Sequence, residues 1–246
     1  QVMVNLVFAY ESAESFALLD HLLQEVPSIT TLLYTVNTKF NDSLHGLQPI
    51  VYHGKGYVTE ALEDFRFKIG PLSFFQTNTA QAERLYQVTR DFASLSGNER
   101  VYDLYCGTGS IGIFLSRKAH SVIGVENVPA AVADANENAA LNRLDNCSFY
   151  AGDVVDICTD DFFALHGKPD VIITDPPRAG MHEKLVRMIL QTEAPRLVYV
   201  SCNPSTQARD VQLLGEKYTV ERIQPVDMFP HTLHIENVML LTCKNA

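Results

Sequence analysis

Cys202 lies in VYVSCNPST, residues 198–206, just past an apolar run and beside Pro204, which opens a helical stretch. A thiol near a helix N-terminus has its thiolate favoured, and that is the setting of a nucleophile. A cysteine is otherwise a small apolar residue. Cys106, Cys147, Cys158 and Cys243 have no comparable surroundings and are read as structural. Glu236 closes MFPHTLHIE, residues 228–236, at the start of an expected strand, and is read as a proton acceptor. His231 and His234 then shape the loop before it. The three side chains also have metal-binding types, but no further ligand is apparent. A solvated glutamate is the plainer alternative.

Asp175 stands in ITDPPRAG, residues 173–180, after an apolar run. In an open α/β sheet the carboxyl ends of the strands face the ligand crevice, so Asp175 is expected at the reaction centre. Pro176 and Pro177 stiffen this loop by fixing φ and removing two donors. Arg178 has the chemistry to meet a phosphate or a substrate carbonyl. A tyrosine at that position would stack on a base presenting an exocyclic amine; here the ring is lacking.

DLYCGTGSIG, residues 103–112, follows one strand pattern and precedes a helix pattern. Gly107 and Gly109 permit a tight turn and close approach of a ligand, and the helix N-terminus offers free N–H groups. Glu126 ends the next strand about twenty residues on, where an acid accepts both ribose hydroxyls of a nucleoside. A dinucleotide and S-adenosyl-L-methionine both suit such a site. The run D-x-x-C-G-T-G, beginning at Asp103, resembles the first motif of class I S-adenosylmethionine-dependent methyltransferases more than a dehydrogenase fingerprint. Asp153, in AGD, would lie near the adenine in that fold, or is simply a turn residue. In PLSFFQTN, residues 71–78, Gln76 is an amide able to donate and accept at once. Thr77 or Asn78 is the expected cap of the next helix, and Phe74 and Phe75 are core or stacking groups.

The elements that must carry these residues follow from periodicity. Residues 2–8 alternate as a strand, 12–25 read as a helix stopped by Pro27, and 29–37, 50–53, 56–61 and 63–69 read as strands. This makes residues 1–70 a small α+β domain. From 71 to 246 the pattern becomes a strand–helix alternation. A long helix over 77–94 precedes strands at 100–104, 121–126, 147–150, 170–174 and 197–201. Helices fall at 110–118, 129–142, 182–192 and 205–216 between them. Two last strands, 218–226 and 234–243, suit an antiparallel pair at the end of the sheet. Such alternation builds a Rossmann-like α/β sheet, seven-stranded by this count, with helices on both faces.

Composition narrows the function. With 19 basic against 29 acidic residues the net charge is −10, which argues against a domain that grips nucleic acid by charge alone. Five separated cysteines argue for reduced thiols rather than a disulfide framework or metal cluster. No apolar run long enough to span a membrane exists, and no export signal is seen, so a cytoplasmic protein is expected. The opening Gln-Val-Met-Val suggests a piece of a longer protein.

Taken in order, FFQTN, DLYCGTG, DPPRAG, SCNP and PHTLHIE resemble the RNA uracil-5 methyltransferase family, strongly over residues 60–246 and weakly before. The resemblance implies a class I methyltransferase fold and S-adenosyl-L-methionine as cofactor. It implies an RNA substrate, tRNA or 23S rRNA with a lean to the latter, in which 5-methyluridine is made. It implies Cys202 as the nucleophile that adds to uracil C6, and Glu236 as the base that removes the C5 proton. Gln76, Tyr105, Ser110, Glu126, Asp153 and Asp175 match positions lining the cofactor or the reaction centre, and Arg178 one that positions substrate. The family often carries Asn at the position of Ser110. Many members also have an N-terminal RNA-binding barrel and a four-cysteine iron–sulfur cluster, neither of which this sequence shows. Three other activities stay in competition: a methyltransferase acting on an exocyclic amine or on protein without a thiol, a noncatalytic cofactor-binding RNA-assembly module, and a nicotinamide dehydrogenase.

Overall fold

The computed structural model describes residues 1–44 and 46–245, so the last residue of the second expected domain lies outside the described residues. Contacts divide the chain into two units, Gln1–Glu60 with Lys68–Ser73, and Ala61–Phe67 with Phe74–Ala246.

In the first unit β1 (Val2–Phe8) runs parallel to β2 (Ile29–Val36), which pairs antiparallel with β3 (Ile50–Gly54). Between β1 and β2, α1 (Ala13–Glu25) starts at Ser12, whose hydroxyl accepts the Ser15 N–H. Its Leu19 packs with Ile29, Leu32 and Tyr34 into a small apolar core. The hairpin of β4 (Val58–Leu62) and β5 (Phe65–Ile69) follows.

The second unit opens with α2 (Thr79–Ala93), capped by Asn78, whose side chain accepts the Gln81 N–H. Ala82, Leu85, Tyr86, Thr89, Phe92 and Ala93 are buried at a spacing of three and four, so one face of the helix meets the core. The strands are β6 (Arg100–Leu104), β7 (Ser121–Glu126), β8 (Cys147–Ala151), β9 (Val171–Thr174), β10 (Arg196–Ser201), β11 (Tyr218–Val226) and β12 (Glu236–Cys243). They form one seven-stranded sheet in the order β11-β12-β10-β9-β6-β7-β8. The helices between them are α3 (Ser110–Leu115, continued by a tight turn to Lys118), α4 (Pro129–Leu141), α5 (Val154–Ile157), α6 (Asp160–His166), α7 (Glu183–Thr192) and α8 (Pro204–Leu214). All of β9 is buried, as a strand covered on both faces must be. The fold is thus the class I methyltransferase α/β architecture expected from the sequence.

Two details differ from the sequence pattern. Two short helices, α5 and α6, occupy residues with no helical period long enough to see; each starts at a local cap, Asp153 or Thr159. The final strand begins at Glu236 rather than 234, because the preceding turn closes through the Thr232 N–H on the Phe229 carbonyl. The last two strands form the antiparallel pair expected at the end of the sheet, β12 lying between β10 and β11 and antiparallel to both.

Candidate functional site

Strand register alone assembles the site along one sheet edge. Leu104 lies opposite Thr174 and Val125, so Tyr105, Asp175 and Glu126 leave neighbouring strands at the same level. Glu126 faces Ala151, which brings Asp153 to the next strand's end. On the other side Ser201 pairs with Asn237 across an antiparallel ladder. One step further along that ladder, Cys202 after Ser201 and Glu236 before Asn237 therefore stand side by side.

The glycine loop is held from two directions. Asp103 is fully buried in β6, and its Oδ2 accepts the Gly112 N–H at 2.9 Å. Its Oδ1 is buried without a hydrogen-bond partner among the described residues. Burial and the nearby Glu126 push the Asp103 carboxyl up to about 7, the Gly112 bond opposing them. Glu126 accepts the Gly107 N–H at 3.1 Å on one oxygen and the Val128 N–H at 2.9 Å on the other. Gly107, at φ +54°, would present an added Cβ to open space, so the loop is bare on that side. Gly109 has a different task. A Cβ there would meet the Phe149 ring at 2.9 Å, so this glycine lets the loop pack down rather than approach a ligand. Tyr105 takes a left-handed φ of +60° at the entry of the turn. Ser110, first residue of α3, is bonded through its hydroxyl to that of buried Tyr86 at 2.8 Å.

Around Cys202 the charges are mixed. Burial, Glu236 and Asp175 raise its thiol, while Arg178, through a hydrogen bond and its charge, pulls it down; the balance is upward. α8 begins two residues on, its first turn capped by Asn203, and burial followed by the charge of Glu236 sets the upward shift of the thiol. Glu236 is pushed up to about 7 by burial, opposed by Arg178, and its Oε2 is buried without a partner. Asp175 is raised well above its ordinary value by burial and by Glu236 and Asp103. Arg178 is fixed twice. Its carbonyl accepts from the Asn203 amide and the Thr206 hydroxyl, and its guanidinium donates to His234 Nδ1 at 2.6 Å.

The expected residues therefore fall into two groups and two residues that stand apart. Cys202, Glu236, Asp175 and Arg178 converge around one thiol. Tyr105, Ser110 and Glu126 line the glycine loop. Asp153 is exposed, caps α5 through the Val155 N–H, and is felt electrostatically by Tyr105. Gln76 is partly buried in the segment that enters α2, after Phe75, whose ring packs on Phe67 at 5.5 Å. Sequence reasoning passed over Tyr86, Asp103 as a site group, and His234 as the partner of Arg178. Asp103 opens the glycine motif and was visible there. Tyr86 gave no signal, being one more aromatic on an amphipathic helix.

Comparison with known proteins decides the family. A model of the tRNA (uracil-5-)-methyltransferase family matches residues 48–244. The chain belongs to this family. An uncharacterized RNA methyltransferase of Bacteroides thetaiotaomicron is 56% identical over 91% of the chain and 49% of its own length. One of Porphyromonas gingivalis is 52% identical over 98% of the chain and 52% of its own length. The chain thus spans about half the length of the curated relatives it matches. Among solved structures, the tRNA (uracil-54, C5)-methyltransferase of Pyrococcus abyssi in complex with S-adenosyl-L-homocysteine superposes with a TM-score of 0.81 and 32% identity. It covers 98% of the chain and 56% of that protein. The tRNA m1G37 methyltransferase of M. jannaschii, 13% identical with a TM-score of 0.65 over 98% of this chain and 69% of its own, shares the fold.

Proposed function

We propose that the protein methylates C5 of uridine in RNA, with S-adenosyl-L-methionine as methyl donor, through a covalent bond between Cys202 and uracil C6. The observation that carries this reading is the Ser201–Asn237 pairing, which sets a thiol and a carboxyl of raised pKa side by side. Residues 1–70 are read as a small α+β domain and 71–246 as the cofactor-binding domain. Work on RNA agrees with a cytoplasmic protein.

The cofactor suits the residues present. The bare side of Gly107, the unpartnered Asp103 Oδ1 and the acids around the loop fit a cationic nucleoside. Glu126 would hold its ribose hydroxyls, Asp153 would lie near its adenine, and Gln76, Tyr105, Ser110 and Asp175 would line the rest. When bound, it supplies an electrophilic methyl group on a cationic sulfur.

Uracil C5 is a poor nucleophile. Addition of the Cys202 thiolate to C6 makes an enolate and turns C5 into a carbon nucleophile. Arg178 favours the thiolate, as its effect on Cys202 requires. Once C5 carries the methyl group, Glu236 accepts the C5 proton, and elimination restores the C5–C6 double bond and frees the thiolate. A carboxyl poised at about 7 is well matched to this proton. No nucleophile and base of this kind are needed to methylate an exocyclic amine, which is why the thiol–carboxyl pair favours uridine.

The test is a trapped adduct. RNA containing 5-fluorouridine has no C5 proton to lose, so the full-length protein and S-adenosyl-L-methionine should give a nuclease-resistant mass increase. Cys202→Ala should abolish it and reduce methyl transfer at least ~10³-fold. Transfer that survives the substitution returns the reading to a thiol-independent methyltransferase. Separate tRNA and 23S rRNA pools, followed by sequencing of the attached nucleotides, identify the substrate.

A further inference from the structure

Leu233 is fully exposed, at 102% of its reference area, and Ile235 beside it is at 36%. An apolar side chain wholly in water adds nothing to the fold. Single exposed leucines are ordinary, but this one is held out by a loop fastened along its length. The Asn78 amide donates to the Met228 carbonyl at 2.9 Å. The Thr232 N–H and hydroxyl both donate to the Phe229 carbonyl at 2.9 Å. The His234 N–H donates to the Thr232 hydroxyl at 3.1 Å, and its ring accepts from Arg178 at 2.6 Å. The loop is thus tied to the group beside Cys202 and runs straight into Glu236.

A uracil whose C6 meets a thiol has left its base stack, and unstacking costs a few kcal/mol. Proteins that open stacks insert apolar wedges, leucine among them, between base steps. We infer that Leu233 is such a wedge: it enters the RNA base stack at the gap left by the target uridine and holds that base in the site. The inference rests on the RNA-uridine reading above. It makes Leu233 a positioning residue for substrate, fixed relative to Cys202 through His234 and Arg178.

The experiment uses the full-length protein as wild type, Leu233→Ala and Leu233→Phe. Each acts on a hairpin RNA with a stacked target uridine and on an unstructured oligouridine strand. Leu233→Ala should lower kcat/KM on the hairpin by ~10-fold or more, since the unstacking is no longer offset. It should leave kcat/KM on oligouridine and the Tm unchanged, and Leu233→Phe should restore the hairpin rate. With 2-aminopurine next to the target uridine, wild type should raise fluorescence on binding and Leu233→Ala should not. Equal loss on both RNAs, or no loss on the hairpin, overturns the wedge. A lowered Tm also overturns it, by assigning the side chain to packing against another part of the polypeptide. Absence of methyl transfer by wild type to either RNA removes the uridine reading itself and the wedge with it, so the two failures are distinct.

Discussion

The thiol and the carboxyl at the centre of this site rest in their neutral forms more than their types suggest. Cys202 is raised by burial and by two acids, and Glu236 is raised to about 7 by burial. Arg178 works against both shifts. In the proposed mechanism Glu236 takes the C5 proton in its ionised form, so kcat should rise with pH through about 7. Glu236→Gln should remove that limb, lower turnover by ~10²–10⁴-fold and let a methylated adduct accumulate. A Glu236→Gln profile with the same limb would assign the ionisation elsewhere. Arg178→Ala should move the thiol's titration further up, read as the pH dependence of Cys202 alkylation by iodoacetamide; an unchanged curve would deny Arg178 its role. Much of this was legible as residue types. Cys202 and Asp175 stand out because each closes an apolar run, Arg178 because it follows two prolines, and Glu236 because it opens one. Their electrostatics were not legible, because the acids that raise Cys202 come from positions 27 residues before it and 34 residues after it in the chain.

At the scale of elements, the site depends on how β12 is locked to β10 and α8. Gln207 is fully buried; its amide donates to the Tyr199 carbonyl at 2.8 Å and the Asn237 carbonyl at 3.2 Å. It accepts from the Asn237 amide at 2.6 Å. Gln207→Leu keeps the volume but orphans these groups, and should cost about 1–3 kcal/mol in urea denaturation. Because Asn237 adjoins Glu236, turnover should fall more than cofactor affinity does; an equal fall in both would mean that the loss is merely global. Periodicity revealed nearly every long element here; β7, β9 and β10, for instance, are apolar runs closed by a polar loop. It did not reveal α5 and α6, which are shorter than the window in which a helical period shows. Nor did it reveal which of the last two strands lies at the edge, since β11 and β12 are similar in length and the choice is made by pairing with β10.

For the whole molecule, the buried acids tie stability to pH. Asp103 titrates at about 7 in the folded chain and at about 3.9 in an unfolded one. The folded state therefore keeps a proton that the unfolded state releases. This group's contribution to stability is full below pH about 4 and is lost as pH rises through about 7. Asp103→Asn carries no charge at any pH and still offers an oxygen to the Gly112 N–H. Its stability relative to wild type should climb between those limits and level off above them. A flat difference between the two urea midpoints across this range would show that the carboxyl is ionised throughout.

The insertion of β12 between β10 and β11 has a consequence for the order in which the molecule is made. Synthesis delivers β11 before the strand it pairs with exists. Until Glu236–Cys243 leave the ribosome, β11 has no partner and β10 is an open sheet edge, the kind of surface on which nascent chains associate. The same late segment brings Glu236. Thus the chain holds its glycine loop and Cys202 for some time before it holds Glu236, and the proposed thiol–carboxyl pair is complete only when the sheet is closed.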